Sequence, residues 1–332
     1  MGKGLTDKDI LMFYKEVEAD KFVPGDRYLK RVLRPIWEMF HHRQKKTGFR
    51  VSFDLMAEAL TRAGYRVHVN AYGLARANPT HPVGVVGFPI ILEDWRLPNP
   101  ALLGPSLYDH PGLKPDLFDD PRFKTYLTLA DWVDALYRAQ YGDRCTQWFA
   151  GIDLERWPDL SGRPKDIDFL IYDKVRWHHD ALDKSLLAPI RAELARRGHR
   201  THEVRYKFHD HALFKDLLAR SRAMVFVCEH ETQGLAYQEA MASGVPILAW
   251  DAGVWADPLW RRFQDAAPPA SSVPFFSPAC GDRFVDAAAF PAALDRFEAA
   301  WPTYDPRAYV RDNLSQARSA QIYADAYFKL KV

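Results

Sequence analysis

The chain has 332 residues, 48% hydrophobic and 14% aromatic, enough for a substantial core and two domains of ordinary size. Its 45 basic and 43 acidic residues leave a formal charge of +2, so no global field draws it toward nucleic acid. Three widely spaced cysteines, Cys145, Cys228 and Cys280, suit neither a disulfide framework nor a zinc ribbon and fit a reducing compartment.

No basic-then-apolar leader opens the sequence and no run of about 18 apolar residues occurs, so a soluble cytoplasmic protein, or one peripheral to a membrane, is expected. Asp9–Tyr14 (DILMFY) reads as the first strand. Leu29, Val32, Leu33, Ile36, Trp37 and Phe40 then recur near helical spacing, predicting an amphipathic helix over Arg27–His42. Positions 27–50 carry Arg27, Lys30, Arg31, Arg34, Arg43, Lys45, Lys46 and Arg50 against Glu38 alone. Solvent, an anionic membrane surface or a polyanionic acceptor would each suit that basic face. Thr47-Gly48-Phe49 precedes a helix, Val51–Ala63, which ends at Gly64 before a strand, Tyr65–Asn70.

Val83–Pro89 (VGVVGFP) is an apolar strand, and Trp95–Pro111 is a Pro-rich loop that ends in Asp109-His110. Leu127–Leu129 leads to a helix, Asp131–Tyr141, with Asp131 placed to cap it, and Cys145–Ala150 reads as a short strand. Leu154–Lys165, with two prolines and no period, reads as a linker. Asp168–Tyr172 (DFLIY) begins a second set of elements: a helix at Leu182–Arg197 stopped by Gly198, a strand at Thr201–Tyr206 and a helix at Asp210–Ser221. Toward the end, Gly253–Pro258 and Val273–Phe276 alternate with Pro-rich loops, and Phe290–Trp301 is helical. A long terminal helix is expected over Arg307–Leu330.

The most informative stretch is Ala223–Asp251, AMVFVCEHETQGLAYQEAMASGVPILAWD. An apolar run, Ala223–Cys228, passes through a polar turn into a helix, Leu235–Ser243, stopped by Gly244 and Pro246. A second apolar run, Val245–Trp250, follows. Strand, turn, helix and strand in about 30 residues make a βαβ unit and imply a parallel sheet buried on both faces. The turn after the first strand feeds a helix N-terminus, where such folds bind anions and nucleotides. Glu231 lies in that turn and Glu239 a turn and a half into the helix, with Gly234 between them where backbone can approach a ligand.

From Glu231 to Ile247 the residues resemble the Glu-x7-Glu motif of retaining glycosyltransferases of family 4, the group 1 glycosyltransferases. Their motif runs roughly E-G-F-G-L-x-x-x-E-A-M-A-x-G-x-P-V, and here it runs Glu231-Thr-Gln-Gly-Leu-Ala-Tyr-Gln-Glu239-Ala-Met-Ala-Ser-Gly-Val-Pro-Ile. Thr232-Gln233 stands where the family has Gly-Phe, which makes the turn more polar.

The resemblance implies an α/β chain of GT-B type, two Rossmann-like domains with parallel sheets facing a central cleft. An acceptor-binding domain would span residues 1–155, a nucleotide-sugar domain 156–306, and a last helix, 307–332, would cross back to the first. Gly151-Ile152-Asp153 is similar to the family's turn at the end of the first domain. The implied activity is transfer of a sugar from a nucleotide-diphosphate donor, a UDP- or GDP-sugar, to an acceptor, with retention and without metal or other cofactor. Glu231 would hold the sugar hydroxyls and Glu239 the ribose, with Gln233, Gly234 and Leu235 at the diphosphate. Lys174 and Arg176, just after Asp168–Tyr172, would neutralise the leaving diphosphate. Gly48 matches the family's Gly-rich loop position or is a simple turn, and His110 matches a histidine the family sets near the reacting sugar.

Expected partners are a nucleotide sugar and a glycosyl acceptor, with membrane contact through 27–50 as an option and nucleic acid excluded. Same-fold epimerases or phosphorylase-like enzymes, and a non-catalytic nucleotide-sugar-binding module, are the alternatives. Asp166-Ile-Asp168 imitates a metal-binding D-x-D but sits at the start of a strand, the wrong end for a ligand. His178-His179 and His209-Asp-His211 lack further ligands at recognisable spacing, so no metal site is expected.

Overall fold

The computed structural model describes residues 4–16, 48–93 and 95–331. The basic helix expected at Arg27–His42 lies outside them.

These residues form two compact units. One holds the chain up to Leu129, Asp134–Gly151 and the residues from Gln316 on; the other holds Ala130–Val133 and Ile152–Ser315.

The first unit is built on six strands: β1 (Asp9–Lys15), β2 (Arg66–Val69), β3 (Val83–Gly87), β4 (Ala101–Leu103), β5 (Phe123–Thr128) and β6 (Cys145–Gln147). They lie in the order β2-β1-β3-β4-β5-β6, every described pair parallel. Asp9–Tyr14 and all of β3 are buried, as strands covered on both faces must be. Helix α1 (Gly48–Arg62) turns Phe53, Leu55, Met56, Ala59 and Leu60 inward. Helix α2 (Asp131–Tyr141) has the bounds read from the sequence, and its residues from Asp134 on belong to this unit.

β4 is a departure from the sequence reading. Its three buried residues lie inside the stretch expected to be an irregular loop, flanked by Pro98, Pro100 and Pro105. Prolines flank β4 but do not interrupt its ladder to β3 and β5, so a strand this short survives among them.

At the amino end of β1, Asp9 is buried with its partners around it. Its Oδ1 accepts from Arg66 Nε at 2.8 Å and lies 2.9 Å from His68 Nε2. Its Oδ2 accepts from Arg66 Nη2 at 2.6 Å and from the Thr6 amide and hydroxyl at 2.8 and 2.9 Å. The Arg66 guanidinium outweighs the cost of burial and holds this carboxyl far below the usual carboxylate range.

The second unit is a five-stranded parallel sheet, order β11-β10-β9-β7-β8. Its strands are β7 (Ile167–Asp173), β8 (Thr201–Arg205), β9 (Ser221–Val227), β10 (Ile247–Trp250) and β11 (Gly281–Phe284). The edge strand β11 reads GDRF, and neither Gly253–Pro258 nor Val273–Phe276 contributes a strand.

Helices α3 (Ala188–Arg196), α4 (His211–Arg220), α5 (Leu235–Ala242) and α6 (Phe290–Ala300) cover the sheet. The single helix expected over Leu182–Arg197 is continuous but widens into a π turn at Asp183–Leu187, just before Pro189, which has no N–H to give. The expected linker Leu154–Lys165 belongs to this unit: Trp157 and Leu160 are buried, and the Leu160 amide donates to Ser243 O at 3.0 Å.

The long terminal helix is two helices, α7 (Pro306–Asn313) and α8 (Gln316–Phe328). The break at Leu314-Ser315 comes where Leu314 O accepts from the Ile152 amide at 2.8 Å and Ser315 bridges Ile152. In the first unit, α8 packs through Tyr323 and Tyr327. The Tyr327 hydroxyl receives the Leu11 amide at 2.9 Å and donates to Pro82 O. A Cβ on Gly84 would lie 1.9 Å from the Tyr323 hydroxyl, so only glycine admits that ring.

Candidate functional site

The candidate site stands at the carboxyl ends of β7 and β9, central parallel neighbours whose last register pair is Asp173 with Val227. Beyond that pair the backbone amides are satisfied one by one. Lys174 N donates to Val227 O at 2.8 Å, and Val175 N to Asp173 Oδ1 at 3.0 Å. Arg176 N and Trp177 N both donate to Glu229 Oε1 at 2.9 Å. Three of the four amides of this turn, which would otherwise be orphan donors, are thus held by two buried carboxylates.

This turn presents Lys174 and Arg176 to the loop after β9. Lys174 is mostly buried; its ammonium pairs with Glu231 Oε1 and lies 4.6 Å over the Tyr206 ring. Burial would lower its pKa, but Glu231 beside it carries the balance upward, so it stays charged. Arg176 donates to His230 O, sets its guanidinium 4.4 Å over the Trp177 ring and has its Nε 3.9 Å from Glu229 Oε2.

Glu231 is fixed from three further directions. Its amide donates to Ser271 O at 2.9 Å, its carbonyl accepts from Trp132 Nε1 at 2.9 Å, and the Cys228 thiol lies 3.4 Å from its Oε1. Ser271 is held in turn by Asp251, whose Oδ2 accepts its hydroxyl at 2.8 Å.

His230 stacks on Trp177 with ring centroids 5.1 Å apart, and Trp132 and Trp255 meet it edge-on. Its Nδ1 accepts from the Ala256 amide at 3.3 Å. Burial, with Arg176 and Lys174 adding to it, pushes the imidazole down to about 3, so it is neutral at physiological pH.

The loop then enters α5 through Gly234, whose φ of 81° is left-handed. A Cβ there would lie 2.0 Å from Tyr237 Cε1, which leaves glycine the one residue that fits. Gln233 Nε2 donates to Gln238 Oε1 and Gln238 Nε2 to Gln233 O, both at 2.7 Å, pinning the loop to the helix. The first-turn amides of Leu235–Tyr237 come before the first intrahelical bond, Gln238 N to Gly234 O at 3.2 Å, so this N-terminus can receive an anion. Glu239 lies buried on α5. Burial pushes its carboxyl up to about 8, with Lys215, Arg156 and Lys174 pulling weakly the other way.

Lys174, Arg176, Glu231, Gln233, Gly234, Leu235 and Glu239 therefore all belong to one unit, and Lys174 and Glu231 touch. Gly48 and His110 belong to the other. Gly48 is exposed at the start of α1, with open space where a Cβ would sit. His110 is buried; its Nδ1 accepts from Gly112 N at 2.9 Å, and burial lowers its pKa.

The sequence reading missed Glu229, His230, Trp177 and Ser271. Only Glu229 had a visible signal, an acidic residue two before Glu231 at a buried strand end. Asp166 and Asp168 sit at the amino end of β7 on Arg220 and Arg200, and His179 Nε2 lies 2.7 Å from Asp173 Oδ2.

No protein-family model matches the chain, and no curated protein matches its sequence. Solved structures do match. The chain is similar to the catalytic domain of starch synthase IV from Arabidopsis thaliana bound to ADP and acarbose, with a TM-score of 0.56 at 11% identity, covering 99% of this chain and 100% of that one. It is similar to AviGT4, a glycosyltransferase involved in avilamycin A biosynthesis, with a TM-score of 0.53 at 14% identity over 97% and 98%. It is also similar to sucrose-phosphate synthase from Thermosynechococcus elongatus, with a TM-score of 0.52 at 12% identity over 97% and 99%.

The fold is GT-B. Two parallel sheets, of six and five strands, are the two halves of that fold. At these identities the likeness is one of architecture, and within the GT-B frame the chemistry has to be read from the side chains.

Proposed function

We propose that this GT-B chain is a glycosyltransferase that moves a sugar from a nucleoside-diphosphate donor to an acceptor hydroxyl, with retention of configuration and without a metal. The observation that carries this reading is the placing of Lys174 on Glu231 and of Arg176 on His230 O at two adjacent strand ends, beside the N-terminus of α5. Two cations and a helix N-terminus suit a diphosphate, whose charge grows as it departs. The ADP in the starch synthase neighbour is a leaving group of that class, and we carry it to this chain by analogy.

In the proposed reaction the bond between the anomeric carbon and the diphosphate oxygen breaks, its electrons going to the diphosphate. Lys174, Arg176 and the amides of Gln233–Leu235 stabilise that charge. The acceptor oxygen bonds to the anomeric carbon from the same face, and its proton passes to the departing phosphate oxygen, so no strong protein base is required. Glu231 orients the sugar hydroxyls and Glu239 the ribose. His110 takes its place near the reacting sugar, and Gly48 admits backbone close to the substrates, on the family resemblance.

Incubation with UDP- and GDP-sugars should release free nucleotide by slow hydrolysis and faster with an acceptor. Glu231→Ala should cut turnover with little effect on nucleotide affinity, and Glu239→Ala should weaken nucleotide binding. Nucleotide binding without any turnover would make the chain a binding module, and unchanged turnover in both variants would refute the site.

A further inference from the structure

Each cation of the β7 turn is matched by an acid of the β9 loop: Lys174 by Glu231, and Arg176 by Glu229. The reading above gives Glu229 no part. Its side chain is 4% exposed, and its two oxygens are used differently. Oε1 accepts the Arg176 and Trp177 amides, taking over where the β7–β9 ladder ends. Oε2 is buried and accepts no hydrogen bond among the described residues; Arg176 Nε lies 3.9 Å from it, while the guanidinium donates elsewhere, to His230 O. A buried carboxylate oxygen left without a donor favours any movement that brings a cation to it.

We infer that Glu229 is a positioning residue for the donor diphosphate, holding the Arg176–Trp177 end of the turn through one oxygen and competing for Arg176 through the other. This rests on the donor reading above. Oε1 fixes the part of the turn that carries Arg176. Oε2 gives Arg176 an alternative partner at the same strand end, so binding of the diphosphate draws the guanidinium away from Glu229 and departure of the diphosphate lets it return. The site then has two paired cations when empty, which limits how tightly it retains the spent nucleotide.

Two variants separate these roles. Glu229→Gln keeps an oxygen for both amides and removes the charge that competes for Arg176. Glu229→Ala removes both. Affinity for UDP, GDP and inorganic pyrophosphate is measured by titration calorimetry, and amide hydrogen exchange is followed at Arg176 and Trp177. The expected result is diphosphate binding tightened about three- to tenfold in Glu229→Gln, at the scale of one charge removed a few ångströms from a cation in a partly solvated site. In Glu229→Ala, binding weakens about tenfold or more, and exchange at the two amides quickens by a similar factor.

Equal weakening in both variants would reduce Glu229 to a fold-holding residue and overturn the competition. Unchanged exchange in Glu229→Ala would overturn the turn-holding part without reference to any nucleotide. Wild-type protein that binds none of the three probes would bring down the donor reading and the competition with it. Wild-type binding that both variants leave unaltered would refute this inference and leave the donor reading standing.

Discussion

Asp9 and Glu229 are both buried acids among basic partners at the end of a parallel sheet, yet they face different tasks. Asp9 opens β1 at the amino end of its sheet, and five donor atoms from Thr6, Arg66 and His68 surround its two oxygens. Glu229 follows β9 at the carboxyl end, with one oxygen satisfied and the other not. A saturated acid at the amino end has nothing left to offer a ligand. At the carboxyl end, where helix N-termini gather, spare hydrogen-bonding capacity beside two cations belongs to a binding site. Burial and charge alone would have ranked the two alike.

The largest effect should come from removing a cation at the carboxyl end. Lys174→Met keeps the aliphatic stem and should lower turnover by about 10²–10³-fold, as loss of one preorganised charge stabiliser does. Steady-state rates per folded molecule check it, and a loss under tenfold would make this cluster as structural as the one at Asp9.

Asp9→Asn should destabilise the protein by about 2 kcal/mol, less than a fully buried pair because Arg66 is half solvated, and leave turnover per folded molecule unchanged. Its native carboxyl is held below the unfolded value of 3.8, so this stabilisation is present above that value and is lost as the pH falls through it and beyond. Chemical unfolding reads the first part; lost turnover in a stable Asp9→Asn protein would erase the distinction between the two acids.

Glu239 titrates with the opposite sign. Folded, it keeps its proton up to about pH 8, whereas the unfolded chain releases it near 4.5. Between those values the unfolded state binds fewer protons, so stability should fall as pH rises, by at most about 1.4 kcal/mol per unit. Glu239→Gln should flatten that slope in unfolding curves taken across the window. A slope unchanged by the substitution would show that the carboxyl is already ionised in the folded protein.

The smallest effect belongs to Gly48→Ala. The added methyl meets no protein atom within 4 Å, so stability should hold, and turnover should fall no more than about fivefold through contact with substrate alone. Unaltered turnover would take the start of α1 out of the reacting site.

Much of the second unit was legible because its signals are local. The apolar run into β9, the glycine at the head of α5 and the Gly-Pro stop after it lie within one βαβ unit, and each acts over a few residues. Glu229 was not legible because its role exists only once β9 lies beside β7 and brings it to amides 52 and 53 positions away. β4 was hidden by its prolines and by having three residues, too few for a period. The break between α7 and α8 carries no glycine or proline. It follows from Leu314 O and Ser315 being claimed by Ile152, a partner more than 160 positions earlier, on the order of half the chain.

The packing of α8 bears on the order in which the protein takes shape during synthesis. The second unit, apart from Ala130–Val133, is one unbroken stretch from Ile152 to Ser315, whereas the first needs Tyr323 and Tyr327 against Gly84, Leu11 and Pro82. A ribosome delivers the first sheet early, at about 5–20 residues per second, but its seal arrives only after the whole second unit has emerged. The unit made second can therefore finish first, and the nascent first sheet must wait for Tyr323 and Tyr327.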